Sequence, residues 1–368
     1  MIAFPRALLK MATHQLLKLC DDALVETTVL VTQEEIHMNM STRGLATLAM
    51  LFVGVLSFTL CDPAVGHAAN HIKSLTVITE VFGDGQNISA AAIEYDKNID
   101  NGKLSSAVFT VMGRTITKVY TSDAPTKSVQ GVNGRFVVLE LSVADPGASV
   151  ISQRGRTATD TDVKVSVTQA GDVLTTDGEK YESSSETMTS TNVVNLVVDD
   201  FKQFEYKDPK TGQSLKYNLL IPKSYDEKKS YPLVLFMHDA GTTSNETKTT
   251  LIQGLGAIIW ATPSEQAKHE SFVLAPQYST QIVNDNSEAS EYLDITVDLV
   301  KTLANQYSID KDRLYTTGQS GGCMMSIAID IKYPDLFAAR FLLPVSGTQQ
   351  KYLQWSKTNS GSSFPREI

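Results

Sequence analysis

Residues 318–322 read Gly318-Gln319-Ser320-Gly321-Gly322, a serine with glycine two positions before and two positions after it. A β-branched and apolar run predicts a strand over 313–317, and the residues that follow predict a helix over 321–333. On such a sharp strand-to-helix turn the serine hydroxyl is pushed into the open. Glycines beside it are needed where a larger side chain would clash with the folded-back backbone. The helix that starts there offers free N–H groups and a positive dipole end to a developing oxyanion. This chemistry is nucleophilic attack on a carbonyl carbon, with Ser320 as nucleophile and the Gly321 N–H as one oxyanion donor. The bland alternative is a glycine-rich turn with an idle serine.

A second stretch, "FMHDAG" (Phe236 to Gly241), ends an earlier apolar strand. In folds built around such an elbow, this position supplies the second oxyanion-hole N–H. The backbone N–H of Ala240 is the expected donor. Asp239 stands where a His-Gly-x-Gly-like loop would have its first glycine. His238 reads as a structural histidine that orients this loop rather than as a base. Trp260 and Tyr278 could line a substrate cleft, but core packing explains both as well. Cys323 is expected to pack within the helix after the elbow.

The elements that must position these residues alternate between strand and helix from about Phe201. "SLKYNLLIP", "YPLVLFMHDAG" and "SFVLAPQ" read as strands, the second a continuous apolar run suited to a sheet covered on both faces. Between Glu291 and Tyr307, the apolar residues Leu293, Val297, Val300, Ala304 and Tyr307 recur on one face of a helix. Alternating strands and helices predict a mostly parallel α/β sheet. Before it, from Ser74 to about Val198, the pattern has period two: Val137, Leu139, Leu141 and Val143, then Val163, Val165 and Val167. "SLTVITEVF" and "SAVFTVMG" are similar runs, separated by turn signals such as Gly83-Asp84-Gly85 and Asn101-Gly102. No long helix is evident there, which predicts a β-sandwich of about 125 residues.

On these residues the chain resembles the secreted serine esterases of the α/β-hydrolase superfamily that are often labelled predicted peptidases. The resemblance rests on "YNLLIPKSYD", "YPLVLFMHDAG", "QGLGAIIWATPSEQAKHESFVLAPQY" and "YTTGQSGGCMMS" followed by "KYPDLFAA". That likeness spans residues 201–339, and residues 70–198 resemble the immunoglobulin-like domain found N-terminal to such esterases, so domains are expected over 70–199 and 200–368, the second an α/β-hydrolase domain truncated at its C-terminus. The resemblance implies hydrolysis of carboxylic esters, free or polymer-linked, through an acyl-serine on Ser320, with no metal and no organic cofactor. Gly321 stands where the family often has Met, a harmless departure because the backbone N–H is what counts.

In this fold the triad runs Ser, then Asp or Glu, then His along the chain. The serine needs a base to take its proton and an acid to hold the base's tautomer. The last histidine of the sequence is His269, and the later aspartates Asp330 and Asp335 lie on or just after the nucleophile helix. The sequence therefore predicts an incomplete triad, a C-terminally truncated sheet and little activity from these 368 residues. After Ala339 the sequence changes character. From about Leu343 it can be read in a neighbouring frame as an apolar strand ending in a Ser-x-Gly-Asp turn, so a frameshift within 340–368 is expected.

The net charge is −9, with no basic block, which argues against nucleic acid as a partner. Arg43, an apolar run from Leu45 to Leu60 and a small-residue stretch ending Gly66-His67-Ala68 have the layout of a signal peptide over 38–69. Cleavage is expected after Ala68 or Ala69. The run is shorter than the ~20 residues a spanning helix needs, so no membrane span is expected in the processed protein. Cys61 is a poor fit as a lipid-attachment cysteine, because Leu60 precedes it. Residues 1–37 read as a leader, with the true start at Met38 or Met40. Of Cys20, Cys61 and Cys323, only Cys323 would survive processing, so no internal disulfide would remain. A secreted, periplasmic or cell-surface location is expected. A serine peptidase of the same fold and a non-catalytic binding protein are the competing readings. Self-association through the sandwich is left open.

Overall fold

The computed structural model describes residues 71–343 apart from 155, 156, 161, 162, 285 and 287. Residues 1–70, which hold the expected leader and signal peptide, and residues 344–368 of the tail lie outside the described residues.

Two layers form the first half, antiparallel throughout except that β12 pairs with β1 in parallel. In one, the order is β12 (Asn192–Asn195), β1 (Ile72–Phe82), β2 (Gly85–Ile99), β5 (Gly134–Leu141), β4 (Ile116–Ser122). In the other it is β11 (Thr187–Thr189), β8 (Ser166–Gln169), β3 (Phe109–Val111). Two small hairpins flank them, β6 (Ile151–Arg154) with β7 (Thr157–Asp160) and β9 (Val173–Leu174) with β10 (Lys180–Tyr181). Leu75, Val77, Ile93, Val137, Leu139, Val165 and Val167 fill the space between the layers, as the period-two pattern predicts. Inside it the Tyr95 hydroxyl donates to Gln169 Oε1 at 2.9 Å.

Three details depart from the pattern. Val138 is as buried as its neighbours, because the outer face of the large sheet is also covered, with Ile78, Ala90, Ala92, Tyr120 and Phe136 packed there. The loop after β4 returns over that face: the Ser128 N–H donates to the Tyr120 hydroxyl at 2.8 Å, and Lys127 reaches Glu80. Val143, expected inside, is exposed, because β5 has already ended. Ser106–Val108 form a 3-10 turn rather than strand, capped by the Ser105 hydroxyl on the Ala107 N–H.

The sandwich gives way to the second half between Asn195 and Lys202. An apolar cluster joins the two: Val81 of β1 packs with Val198, Phe201, Phe236, Leu251, Ile252 and Ile258.

The second half is one sheet ordered β13 (Lys202–Lys207), β14 (Ser214–Leu220), β16 (Phe272–Gln277), β15 (Tyr231–Met237), β17 (Ile309–Gln319), β18 (Ala339–Leu343). β13, β14 and β16 pair antiparallel, and the pairs from β16 to β18 are parallel. The sheet alternates its side chains between two covered faces. Leu233, Leu235, Met237, Phe272 and Leu274 point to the side covered by α4 (Tyr292–Gln306) and α5 (Gly321–Lys332). Phe236, Val273 and Ala275 point to the side covered by α1 (Thr249–Ile252) and α2 (Leu255–Ala261). A further turn of helix, α3 (Pro263–Gln266), starts at the Thr262 cap. The continuous apolar run of β15 is thus buried on both sides. β17 begins at Ile309, four residues before the predicted start, because Ile309 pairs with Tyr231. Ala339–Leu343 join the sheet in register with Tyr315–Gln319. The first residues after the change of character therefore carry a strand.

Candidate active site

The chain leaves β15 and β17 at the same edge of the sheet, since the two are parallel neighbours. Chain order reverses there, with β16 on one side of β15 and β17 on the other, and such a switch point opens a crevice beyond the strand ends.

Ser320 occupies the turn between β17 and α5 with φ 50° and ψ −111°, a backbone geometry that L side chains rarely adopt. Its neighbours explain how the turn closes. A Cβ on Gly318 would fall 2.3 Å from the Gly322 carbonyl carbon, and one on Gly322 would fall 1.9 Å from the Met237 oxygen. Only glycine lets the elbow and the end of β15 approach this closely. The first helical bond runs from the Met324 N–H to the Ser320 carbonyl at 3.0 Å. The N–H groups of Gly321, Gly322 and Cys323 have no acceptor within the helix.

Gly321 is different. A Cβ there would stand 3.7 Å from the backbone nitrogen of Ala240. The structure thus brings Ser320, Gly321 and Ala240 together. Ala240 opens a short 3-10 turn, Ala240–Thr242, which Asp239 precedes. A side chain at 321 has room.

His238 is 1% exposed and fully engaged. Its Nδ1 lies 2.7 Å from the Asp239 carbonyl, and its Nε2 accepts the Tyr278 N–H at 3.0 Å. Burial lowers its pKa to about 4, so it is neutral near pH 7. This arrangement suits a residue that pins the loop to β16, as the sequence suggests. Tyr278 itself is core: it is fully buried, and its hydroxyl meets the Thr296 hydroxyl at 3.0 Å. Trp260 is partly buried against the cluster that joins the two halves. Cys323 is buried, and burial raises its pKa to about 11, so its thiol stays protonated.

Sequence reasoning missed a buried polar group behind the Ala240 turn. The Gln277 side-chain amide donates to the Thr242 carbonyl at 2.9 Å, and its oxygen accepts the Thr250 N–H at 2.7 Å. The Thr242 hydroxyl donates to Gln253 Oε1. The only available signal was amide side chains at a strand end and a helix end, types usually found at the surface.

No described residue hydrogen-bonds the Ser320 hydroxyl. His71 belongs to the sandwich and pairs with Asp96. His269 precedes β16, at the opposite sheet edge from the elbow. Asp330 faces Arg340, and Asp335 is exposed just after α5. Among the described residues no three His, Cys, Asp or Glu side chains gather as a metal site.

Two family models match the chain: one described as "Esterase Ig-like N-terminal domain", over residues 74–182, and one described as "Putative esterase", over residues 209–350. The second match runs past Leu343. Among solved structures, a thermostable esterase is 34% identical with a TM-score of 0.68, covering 73% of this chain and 76% of its own. A ferulic acid esterase from Anaeromyces mucronatus is 20% identical with a TM-score of 0.31, over 40% of this chain and 58% of its own. A fluorophosphonate-binding serine hydrolase of Staphylococcus aureus is 18% identical with a TM-score of 0.31, over 41% and 59%. These last two overlaps are too small to carry an argument. No curated protein matches the sequence.

Proposed function

The chain belongs to the esterases that carry an immunoglobulin-like N-terminal domain, and from that premise we propose that it is an exported serine hydrolase acting through an acyl-serine on Ser320. As a family member it is a carboxylic ester hydrolase. The observation that carries the finer reading is the meeting of a serine at φ 50° with Gly321 beside the Ala240 nitrogen.

The steps follow from that geometry. The Ser320 oxygen attacks the ester carbonyl carbon, and the carbonyl oxygen takes up the negative charge. The Gly321 and Ala240 N–H groups donate to that oxyanion, preorganised and partly screened from water. The C–O bond to the alcohol breaks, leaving the acyl group on Ser320. Water then attacks the acyl carbon, and the same two donors hold the second oxyanion. Each half needs a base to accept a proton and return it to the leaving group.

Among the described residues no side chain stands at Ser320 as that base. Residues 321–368 contain no histidine, and the described histidines are engaged elsewhere or lie at the far sheet edge. Loss of the base costs several powers of ten in rate. A serine elbow without such a base is expected to acylate slowly and to turn over far below the ~10 s⁻¹ typical of enzymes. Export is supported by the signal-peptide layout of residues 38–69.

The test is prolonged incubation with a fluorophosphonate, followed by peptide mapping, alongside turnover of p-nitrophenyl acetate. Modification confined to Ser320, with negligible turnover, is the expected result. An unmodified Ser320 would favour a binding role, and ordinary turnover would overturn the claim of a missing base.

A further inference from the structure

Gln253 caps α1 and is almost completely buried, an unusual place for a long polar side chain. Its oxygen accepts from the Thr242 hydroxyl, and its amide donates to the Thr250 carbonyl at 3.3 Å. Thr242 is the last residue of the turn opened by Ala240. Its hydroxyl has a second acceptor, Asp239 Oδ1 at 3.1 Å, which belongs to the same turn. Of the two acceptors, only Gln253 ties the turn to a helix.

The far side of Gln253 is backed by the sandwich. A Cβ on Gly85 would stand 3.4 Å from the Ile252 carbonyl oxygen and 3.7 Å from that of Gln253. A Cβ on Gly254 would stand 3.2 Å from the Gly83 carbonyl oxygen. The turn between β1 and β2 thus lies against the backbone of Ile252–Gly254. Gly85 holds φ +119°, so that turn is built for close approach.

We propose that Gln253 is a positioning residue for the Ala240 N–H, clamped between the β1–β2 turn and Thr242. It touches neither substrate nor reacting atoms. Together with the Gln277 amide on the Thr242 carbonyl, the Gln253 hydrogen bond sets where the end of the turn sits, and so where the turn's first N–H points. An oxyanion donor works only if it is aimed before the charge develops. The proposal rests on the reading of Ser320 and Ala240 given above.

The experiment compares the full chain with Gln253→Met, which keeps bulk and removes both hydrogen bonds, and with Thr242→Val. Amide hydrogen exchange across residues 238–244 and the rate of fluorophosphonate labelling at Ser320 are read together. Gln253→Met is expected to speed exchange in that segment about tenfold while leaving β1, β2 and α4 protected. Labelling is expected to slow by about tenfold or more. The double variant is expected to be no worse than the poorer single one, because both remove the same link. Unchanged exchange in 238–244, a uniform rise across the chain, or a local rise with unchanged labelling would each overturn the proposal. A wild type that never labels would overturn the serine-esterase reading, while the exchange comparison would still decide whether Gln253 holds the turn.

Discussion

Gly322 packs its bare Cα against the end of β15, so closely that a Cβ would fall 1.9 Å from the Met237 carbonyl oxygen and 3.0 Å from that of His238. The elbow and the Ala240 loop are therefore one packed unit. Gly322→Ala is expected to cost about 3 kcal/mol, since neither backbone can yield without shifting a buried strand. Gly321→Ala, whose Cβ meets open space and one atom at 3.7 Å, is expected to change stability by less than ~1 kcal/mol. Urea midpoints of the two variants make the comparison; equal losses would refute the packing account.

Ser320 holds a backbone geometry that costs a non-glycine residue ~1–3 kcal/mol. Ser320→Gly is expected to raise stability by about 1 kcal/mol, or ~2 °C in Tm, and to abolish fluorophosphonate labelling. A lower Tm would mean that the turn is not strained.

His238 makes stability depend on pH in a definite window. Its pKa is lowered by burial from 6.5 to about 4 in the folded state. Above pH 6.5 neither state binds the proton, and the contribution is flat. Between 6.5 and 4 the unfolded chain takes up a proton that the folded one refuses, so stability falls as pH falls. The loss approaches roughly 3 kcal/mol near pH 4. His238→Asn is expected to be less stable at pH 7 but to lose less on going to pH 5. Parallel denaturation curves at the two pH values check this; an equal loss in both proteins would exclude His238 as the cause.

Export makes a direct prediction about the mature N-terminus. Protein recovered from outside the cytoplasm of its producing cell is expected to begin at Ala69 or Asn70, the residues after the two expected cleavage positions. N-terminal sequencing that found residues 1–37 in the mature protein would exclude both the leader and the cleavage reading.

Much of the fold was legible because its signals are local. The alternation in 163–167, the apolar run of 231–237 and the helical stripe of 293–304 each specify an element whatever surrounds it. The elbow was legible for the same reason, since a serine between closely spaced glycines at a strand end permits few geometries. Local patterns failed where a second layer covered a face they had read as open, as at Val138, and where a side-chain cap won the residues for a turn, as at Ser106–Val108.

By itself the sequence determined the strand-turn-helix that carries Ser320, the packing of Cys323 within that helix, and the absence of histidine from residues 321–368. Only the tertiary structure decided how near Gly321 comes to the Ala240 nitrogen, that His238 ties the loop at Asp239 to Tyr278 at the end of β16, and that Gln253 meets both Thr242 and the β1–β2 turn. The reason is physical. Strand and helix periods are written in neighbouring residues, whereas a pair such as Gly322 and Met237 meets only once the parallel pairing of β15 and β17 is fixed. Buried hydrogen bonds such as that of Gln253 to Thr242 have no sequence period at all, and exist only where packing has already removed water.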